Sequence, residues 1–287
     1  MNRKIKIITD STADLSSELV AKMGIEVLPL KVIFENEEYR DGVDINTEKL
    51  YELVETKNEL PKTSAISPGE FINEFKKWID KDYDIIYIGI GSDISGTFQS
   101  ANVAKLDFPE DRIFLVDSKN LSSGIALLVL KANDFKNEGL SAKEIHEKVT
   151  NLVPKVRSQF AIQVLDYLHK GGRASGTQAL VGKFWRIRPI IKVTDGLLDV
   201  YKKPMGTMKK AVDVMLDDYF DFIKNDQVDL NYIMVTHTFA EKHAIYMKDE
   251  VLAKSKPINL IESNAGCVIS SHCGKGTIGI LYILNDE

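Results

Sequence analysis

Disulfides, membrane spans and an excess of positive charge are all missing from this chain. Only two cysteines, Cys267 and Cys273, occur in 287 residues, too few for a disulfide framework. They are expected as free thiols in a reducing compartment. No run of about twenty apolar residues is present, and no apolar stretch of signal-peptide length follows the N-terminal Met-Asn-Arg-Lys. Neither an integral membrane segment nor a secretory leader is therefore expected, and a cytoplasmic location is. Acidic residues outnumber Lys and Arg by 42 to 37, a net charge of −5, which argues against nucleic acid as a partner. No internal repeat or low-complexity segment occurs. What remains is an ordinary globular composition, 44% hydrophobic and 28% charged. The length suits one large or two moderate domains.

Three catalytic signatures are also incomplete. The most informative stretch is an apolar run, residues 85–90, that stops abruptly in Gly91-Ser92-Asp93-Ile94-Ser95-Gly96-Thr97, after which residues 97–105 read as a helix. Strand, hydroxyl-rich loop and helix N-terminus together make an anion cradle, because free N–H groups and the helix dipole point at the loop. The loop lacks the Lys of a phosphate-binding P-loop, so a carboxylate suits it as well as a nucleotide does. Ser95 is not in Gly-x-Ser-x-Gly, since Asp93 stands where the first Gly belongs. Cys267, His272 and Cys273 lack structural-zinc spacing and a fourth ligand, so no metal or other cofactor is expected.

The first half alternates strand and helix: a strand at 4–9, a helix at 16–23 stopped by Gly24, a strand at 25–34 with Pro29 marking an edge or bulge, a charged turn at 35–44 and a helix at 47–56. Ser67, Pro68 and Glu70 form a capping-box signature for the next helix, whose Phe71, Phe75, Trp78 and Ile79 share a core face. Strands at 85–90 and 113–116 and helices at 121–136 and 143–152 follow, the last capped by Ser141 with Glu144. This pattern predicts a parallel sheet covered on both faces. Three strands then end in polar loops, Asp10-Ser11-Thr12, residues 91–97, and Asp117-Ser118, on one rim where such sheets bind ligands. The five residues 10–14 read as a capping turn or as pocket lining.

The second half begins near residues 153–156, with a strand at 158–164 and a Gly171-Gly172-Arg173 loop. Thr194-Asp195-Gly196 is a hairpin turn between strands at 189–193 and 197–201. An amphipathic helix at 209–224 and strands at 232–236, 258–261 and 278–284 complete a mixed or largely antiparallel α/β unit. His272, set among Ser270, Ser271, Cys273, Gly274 and Gly276, is open to a ligand. On residues alone, an enzyme remains an alternative: a serine hydrolase with Ser95, His272 and an Asp as orienter, or a phosphotransferase acting on a small carboxylate or phosphate.

The ordered series Ile-Thr-Asp-Ser-Thr-Ala-Asp-Leu at 8–15, Lys62-Thr63-Ser64, the run at 91–101, Val116-Asp117-Ser118, Leu168-His169-Lys170-Gly171-Gly172-Arg173, Pro189-Ile190-Ile191 and Ser271-His272-Cys273-Gly274 resembles the DegV family of fatty-acid-binding proteins. The resemblance implies a two-domain α/β fold: a parallel Rossmann-like sheet in residues 1–155, a second unit in residues 156–287, and one long-chain, palmitate-like fatty acid between them. It implies a carboxylate site at Thr63, Ser95, Gly96 and His272, with Ser11, Thr97, Ser118 and Gly274 as further pocket lining. It also implies a carrier, not an enzyme, that presents its acid to a separate fatty acid kinase for acyl-phosphate formation and phospholipid synthesis, with Arg173 as the matching kinase contact. Two departures from the family pattern bear on the kinase: Lys275 replaces the Pro of His-x-Gly-Pro-Gly, and residues 202–208 contain no Arg.

Overall fold

The computed structural model describes residues 3–35, 37–175 and 187–285. In the first half the elements run β1 (Lys4–Asp10), α1 (Ser17–Met23), β2 (Glu26–Leu28), β3 (Lys31–Phe34), β4 (Glu37–Arg40), α2 (Thr47–Lys57), β5 (Lys62–Ser64), α3 (Pro68–Ile79), β6 (Tyr83–Gly89), α4 (Thr97–Lys105), β7 (Ile113–Asp117), α5 (Ser123–Asn137) and α6 (Ala142–Leu152). The strands β2-β1-β6-β7 form one parallel sheet. Its strands are apolar on both faces, as a sheet sandwiched between helices requires. Successive residues divide between the two layers. Ile7, Ile86 and Ile88 pack toward α5 and α6, whereas Ile8, Ile85 and Tyr87 pack with Phe71, Phe75 and Ala101 of α3 and α4. Ser67 with Glu70, and Ser141 with Glu144, form complete capping boxes at α3 and α6.

Pro29 divides the apolar stretch expected as one strand. Residues before it join the edge of the parallel sheet as β2, and residues after it turn away into a small antiparallel sheet, β4-β3-β5. Having no N–H, proline cannot continue a ladder. Two segments expected as turn and loop are strands of this small sheet. The charged residues 37–40 form its exposed outer strand, a polar edge that discourages pairing with other chains. Lys62–Ser64 pairs with β3 on the other side, placing Thr63 opposite Val32.

The second half contains β8 (Val156–Ala161), α7 (Leu165–Gly171), β9 (Ala174–Ser175), β10 (Ile190–Thr194), β11 (Leu197–Lys202), α8 (Met208–Lys224), β12 (Val228–His237), α9 (Glu241–Lys254), β13 (Asn259–Asn264), α10 (Cys267–Cys273) and β14 (Ile278–Leu284). Its seven-stranded sheet, ordered β13-β12-β14-β8-β10-β11-β9, is mixed, with parallel pairs only at its two edges. The first strand stops at Ala161, short of the predicted 164. The β10–β11 hairpin turns on Asp195 (φ 50°) and Gly196 (φ 85°), the left-handed pair that Asp-Gly favours. One face of α8 buries Ala211, Val212, Met215 and Tyr219 against this sheet.

The two sheets share α5. Residues 125–130 of this helix are all buried, in one core with Ile7 and Ile86 of the parallel sheet and with Met234, Leu281 and Ile283 of the mixed sheet. A helix clad on both sides is apolar all round, which is why its sequence, Ile-Ala-Leu-Leu-Val-Leu, shows no amphipathic stripe. None of the described helices is long and apolar enough to cross a membrane.

Candidate functional site: a polar head on an apolar cavity

Thr63, Ser95, Gly96 and His272, separated by up to 209 positions in sequence, line one cavity of about 150 Å³. Three parts of the fold bring them together. Thr63 lies in β5, Ser95 and Gly96 in the turn between β6 and α4, and His272 in the last turn of α10. The remaining wall is mostly apolar, including Ile90, Ile94, Leu121, Leu168, Leu198 and Ile269.

Each polar side chain has a defined partner. His272 Nε2 lies 2.8 Å from Thr63 Oγ1. Ser95 Oγ accepts from the Thr97 amide at 3.3 Å and lies 3.0 Å from Thr97 Oγ1. The turn itself is compact: the Ile94 and Ser95 amides both donate to the Gly91 carbonyl. Gly91 is required by close approach, since a Cβ there would stand 3.0 Å from the Asn120 amide. Burial, then the charge of Arg173, pushes the His272 pKa down to about 4, so at neutral pH its ring is uncharged.

The N-terminus of α10 is held by carboxylates from the first half of the chain. Asp14 Oδ1 accepts from the Gly266 amide at 2.8 Å, and Asp41 accepts from the amides of Cys267 at 2.7 Å and Val268 at 3.2 Å. Asp14 also accepts from Ser122 Oγ at 2.5 Å. These buried acids occupy the amides that a helix start would otherwise leave free. Burial raises both carboxyl pKa values, that of Asp14 strongly. Asp10 is likewise buried and raised; it accepts from Tyr87 Oη at 2.8 Å and from the Ile90 amide at 2.9 Å. Of the two readings of residues 10–14, the capping turn describes Asp10, whose side chain accepts from the Thr12 amide.

The other predicted lining residues turn elsewhere, each for a local reason. Ser11 Oγ accepts from the Leu30 amide at 3.1 Å and lines a separate pocket beside Asp14 and Asp41. Thr97 is fully buried behind Ser95. Ser118 is buried and exchanges hydrogen bonds with the backbone of Asn120. Gly274 (φ 74°) faces the Tyr167 ring, where a Cβ would approach within 2.7 Å. Arg173 borders the cavity, its Nη1 donating to the Gly171 carbonyl at 2.5 Å. It also borders an outer groove of about 530 Å³ with Lys62, Lys170, Thr63 and His272. Thr63, His272 and Arg173 therefore border both the apolar cavity and the surface groove, whose lining also includes Glu59. Lys275 stands outside both, its Nζ 4.8 Å from the Phe239 ring centre and 5.8 Å from that of Tyr51.

Residues essential to this arrangement were not singled out from sequence. Asp41 lay in a stretch read as a charged turn, and the apolar wall is drawn from many separate elements and loops. The segment around His272, to which no element was assigned from sequence, is a helix between Gly266 and Gly274, and that regularity fixes the direction of His272.

The cavity thus has hydroxyls, a glycine, His272 and Arg173 among its polar lining and aliphatic side chains over most of the rest. The DegV family model, described as “Uncharacterised protein, DegV family”, matches residues 4–285, and the chain belongs to this family. A DegV domain-containing protein of Clostridium acetobutylicum is 36% identical over 280 residues, covering 98% of each chain. Among solved structures, a fatty-acid-binding DegV family protein from Thermus thermophilus superposes with a TM-score of 0.89 at 27% identity, covering 98% of this chain and 100% of that one. DegV of Bacillus subtilis, described as a fatty acid binding protein, gives 0.87 at 29% identity, with 99% and 100% covered. A stearic-acid-binding protein from Eubacterium ventriosum gives 0.85 at 27% identity, with 98% of each chain covered. The two-unit α/β architecture expected from the sequence is the one these structures share.

Proposed function

We propose that this protein binds one long-chain fatty acid between the units 1–155 and 156–287, with the carboxylate at Thr63, Ser95, the Gly96 amide and His272. The observation that carries this reading is the convergence of neutral donors from three distant segments on one end of an aliphatic cavity. A buried carboxylate without partners costs several kcal/mol, and two hydroxyls with a backbone amide meet that need. Burying about fifteen chain carbons at about 0.8 kcal/mol each gives about 12 kcal/mol before costs. Association and ordering offset much of it. The chain sets affinity and the head sets orientation.

A cavity of about 150 Å³ has room for about one benzene ring, so a long chain enters only with movement of the wall. The side to yield is marked. Leu121, Ile269 and Cys273 line this cavity and also a smaller one of about 30 Å³ that continues toward Phe160 and Leu281. Opening that partition joins the two spaces.

The hydrolase alternative has less support. His272 is paired with Thr63, and Ser95 with Thr97, so the nucleophile–base hydrogen bond that a serine hydrolase requires is not assembled. As a carrier, the protein presents the carboxylate to a separate fatty acid kinase in the cytoplasm, supplying acyl phosphate for phospholipid synthesis. Consistent with this, Thr63, His272 and Arg173 border the outer groove, so the carboxylate end is the one nearest the surface. Mass spectrometry of lipid extracted from natively purified protein tests the reading. One intact long-chain acid per protein is expected. Absence of any acyl species, with failure to bind added fatty acid, would refute it. Covalent capture of Ser95 by an acylating probe would favour the hydrolase.

A further inference from the structure

We propose that Gly171 is a positioning residue: its bare Cα holds His272 as the Nε2–H tautomer, which leaves the Thr63 proton free to be donated to the ligand. This rests on the fatty-acid reading for its consequence, but not for its geometry. His272 Nδ1 is buried and has no hydrogen-bond partner among the described residues. What it meets is Gly171, where an added Cβ would lie 2.5 Å from Nδ1 and 3.4 Å from Cγ. The ring therefore packs directly on the glycine, with no room for an acceptor on that side. A proton on Nδ1 would be a buried donor without a partner, the costly case; an unprotonated nitrogen facing a Cα hydrogen is the cheaper one. The proton then sits on Nε2, which faces Thr63 Oγ1 at 2.8 Å. A depressed His272 pKa, caused first by burial, agrees with a neutral ring.

The consequence is a polarity at the head of the cavity. Once Nε2–H donates to Thr63 Oγ1, the Thr63 proton must point elsewhere. Ser95 is placed in a similar way: its Oγ already accepts from the Thr97 amide and lies 3.0 Å from the Thr97 hydroxyl. Each hydroxyl thus already accepts one hydrogen bond from the protein, which frees the Thr63 proton for the ligand. An ionised carboxylate gains more from that proton than an alcohol does, because hydrogen bonds to charged acceptors are the stronger ones. Gly171 was part of a glycine pair that reads in sequence as a flexible loop. In the structure it ends α7, and the left-handed residue beside it is Gly172 (φ 66°), so it is packing against His272, not conformational freedom, that excludes a side chain at position 171.

Long-range ¹⁵N NMR of His272 in the whole protein, with titrations of hexadecanoate and hexadecan-1-ol, tests this. The wild type is expected to show a pyridine-type Nδ1 and a pyrrole-type Nε2, and to prefer the carboxylate. Gly171→Ala displaces the ring from Thr63 and is expected to cut the carboxylate-over-alcohol preference about tenfold. A proton on Nδ1 in the wild type, or an unchanged preference in Gly171→Ala, would overturn the assignment. Failure of the wild type to bind either amphiphile would instead overturn the fatty-acid reading, with the spectrum still deciding the tautomer.

Discussion

The two ends of α10 meet the first half of the chain in opposite ways. At the N-terminus, the amides of Gly266, Cys267 and Val268 are taken by the buried carboxylates of Asp14 and Asp41. At the C-terminus, His272 meets only the neutral hydroxyl of Thr63, at the edge of a cavity. One end is a closed junction in which buried carboxyl oxygens satisfy backbone donors. The other is an unfinished one, with polar groups arranged in a shell around space. The difference shows why residues that look alike in sequence, short polar side chains in loops after strands, divide into structure and binding. Asp10, Ser11 and Ser118 have their partners inside the protein, whereas Thr63 and Ser95 have protein partners on one side and a cavity on the other.

Substitutions at each end should separate these roles. The largest effect is expected from filling the open end. Leu198→Trp, which puts an indole into the cavity, should weaken hexadecanoate binding at least about 100-fold, about 2.7 kcal/mol, by isothermal titration calorimetry. Unchanged affinity would place the acyl chain elsewhere.

At the closed end, Asp41→Ala strips the acceptor from two buried amides and should lower folding stability by about 3 kcal/mol in urea denaturation. If stability were unaffected, the junction would not hold α10 as described.

The two ends should also answer acid in opposite directions. His272 titrates at about 4 in the folded protein, below the ordinary value of 6.5, so the unfolded chain takes up its proton first. Its contribution is present above pH 6.5 and is lost as the pH falls toward 4, about 3 kcal/mol in all for a shift of this size. The buried carboxyls of Asp14 and Asp41 are raised, so their contribution is present below the ordinary 3.8 and lost as the pH rises through their folded values. Thermal melts of wild type and His272→Gln from pH 7 to 4 should converge with acid as the wild type loses its advantage; parallel curves would mean that His272 is not buried neutral.

The smallest effect is expected at Ser95. Ser95→Ala removes one head-group donor and should weaken binding about fivefold, about 1 kcal/mol, well below the effect of filling the cavity. A larger loss at Ser95 than at Leu198 would reverse the assignment of affinity to the chain.

Much of this was legible in the sequence, and what was not has a physical reason. Strand–helix alternation, the capping boxes at Ser67 and Ser141 and the Asp-Gly hairpin are local signals, and each appears in the structure at its predicted place. The strands at 37–40 and 62–64 were not legible, because pairing with β3 makes them strands and pairing is not local. Helices α7, α9 and α10 were missed for related reasons. In particular, α10 is seven residues long and lacks a side-chain cap; its N-terminal partners lie more than two hundred residues away. The candidate carboxylate residues came from family resemblance, and geometry brings Thr63, Ser95, Gly96 and His272 to one cavity while turning Ser11, Thr97, Ser118 and Gly274 away. The partnership of His272 with Thr63, not with Ser95, could not be read from spacing at all.

The central claim is that the open end of α10 completes a site for the ionised head of a fatty acid. Paired titrations of hexadecanoate and its methyl ester into lipid-free protein at neutral pH address it most directly. One hexadecanoate is expected to bind per chain, the ester at least about tenfold weaker, and that gap is expected to be largely lost in Thr63→Ala/Ser95→Ala. Equal binding of acid and ester, or a gap unmoved by the double substitution, would contradict it.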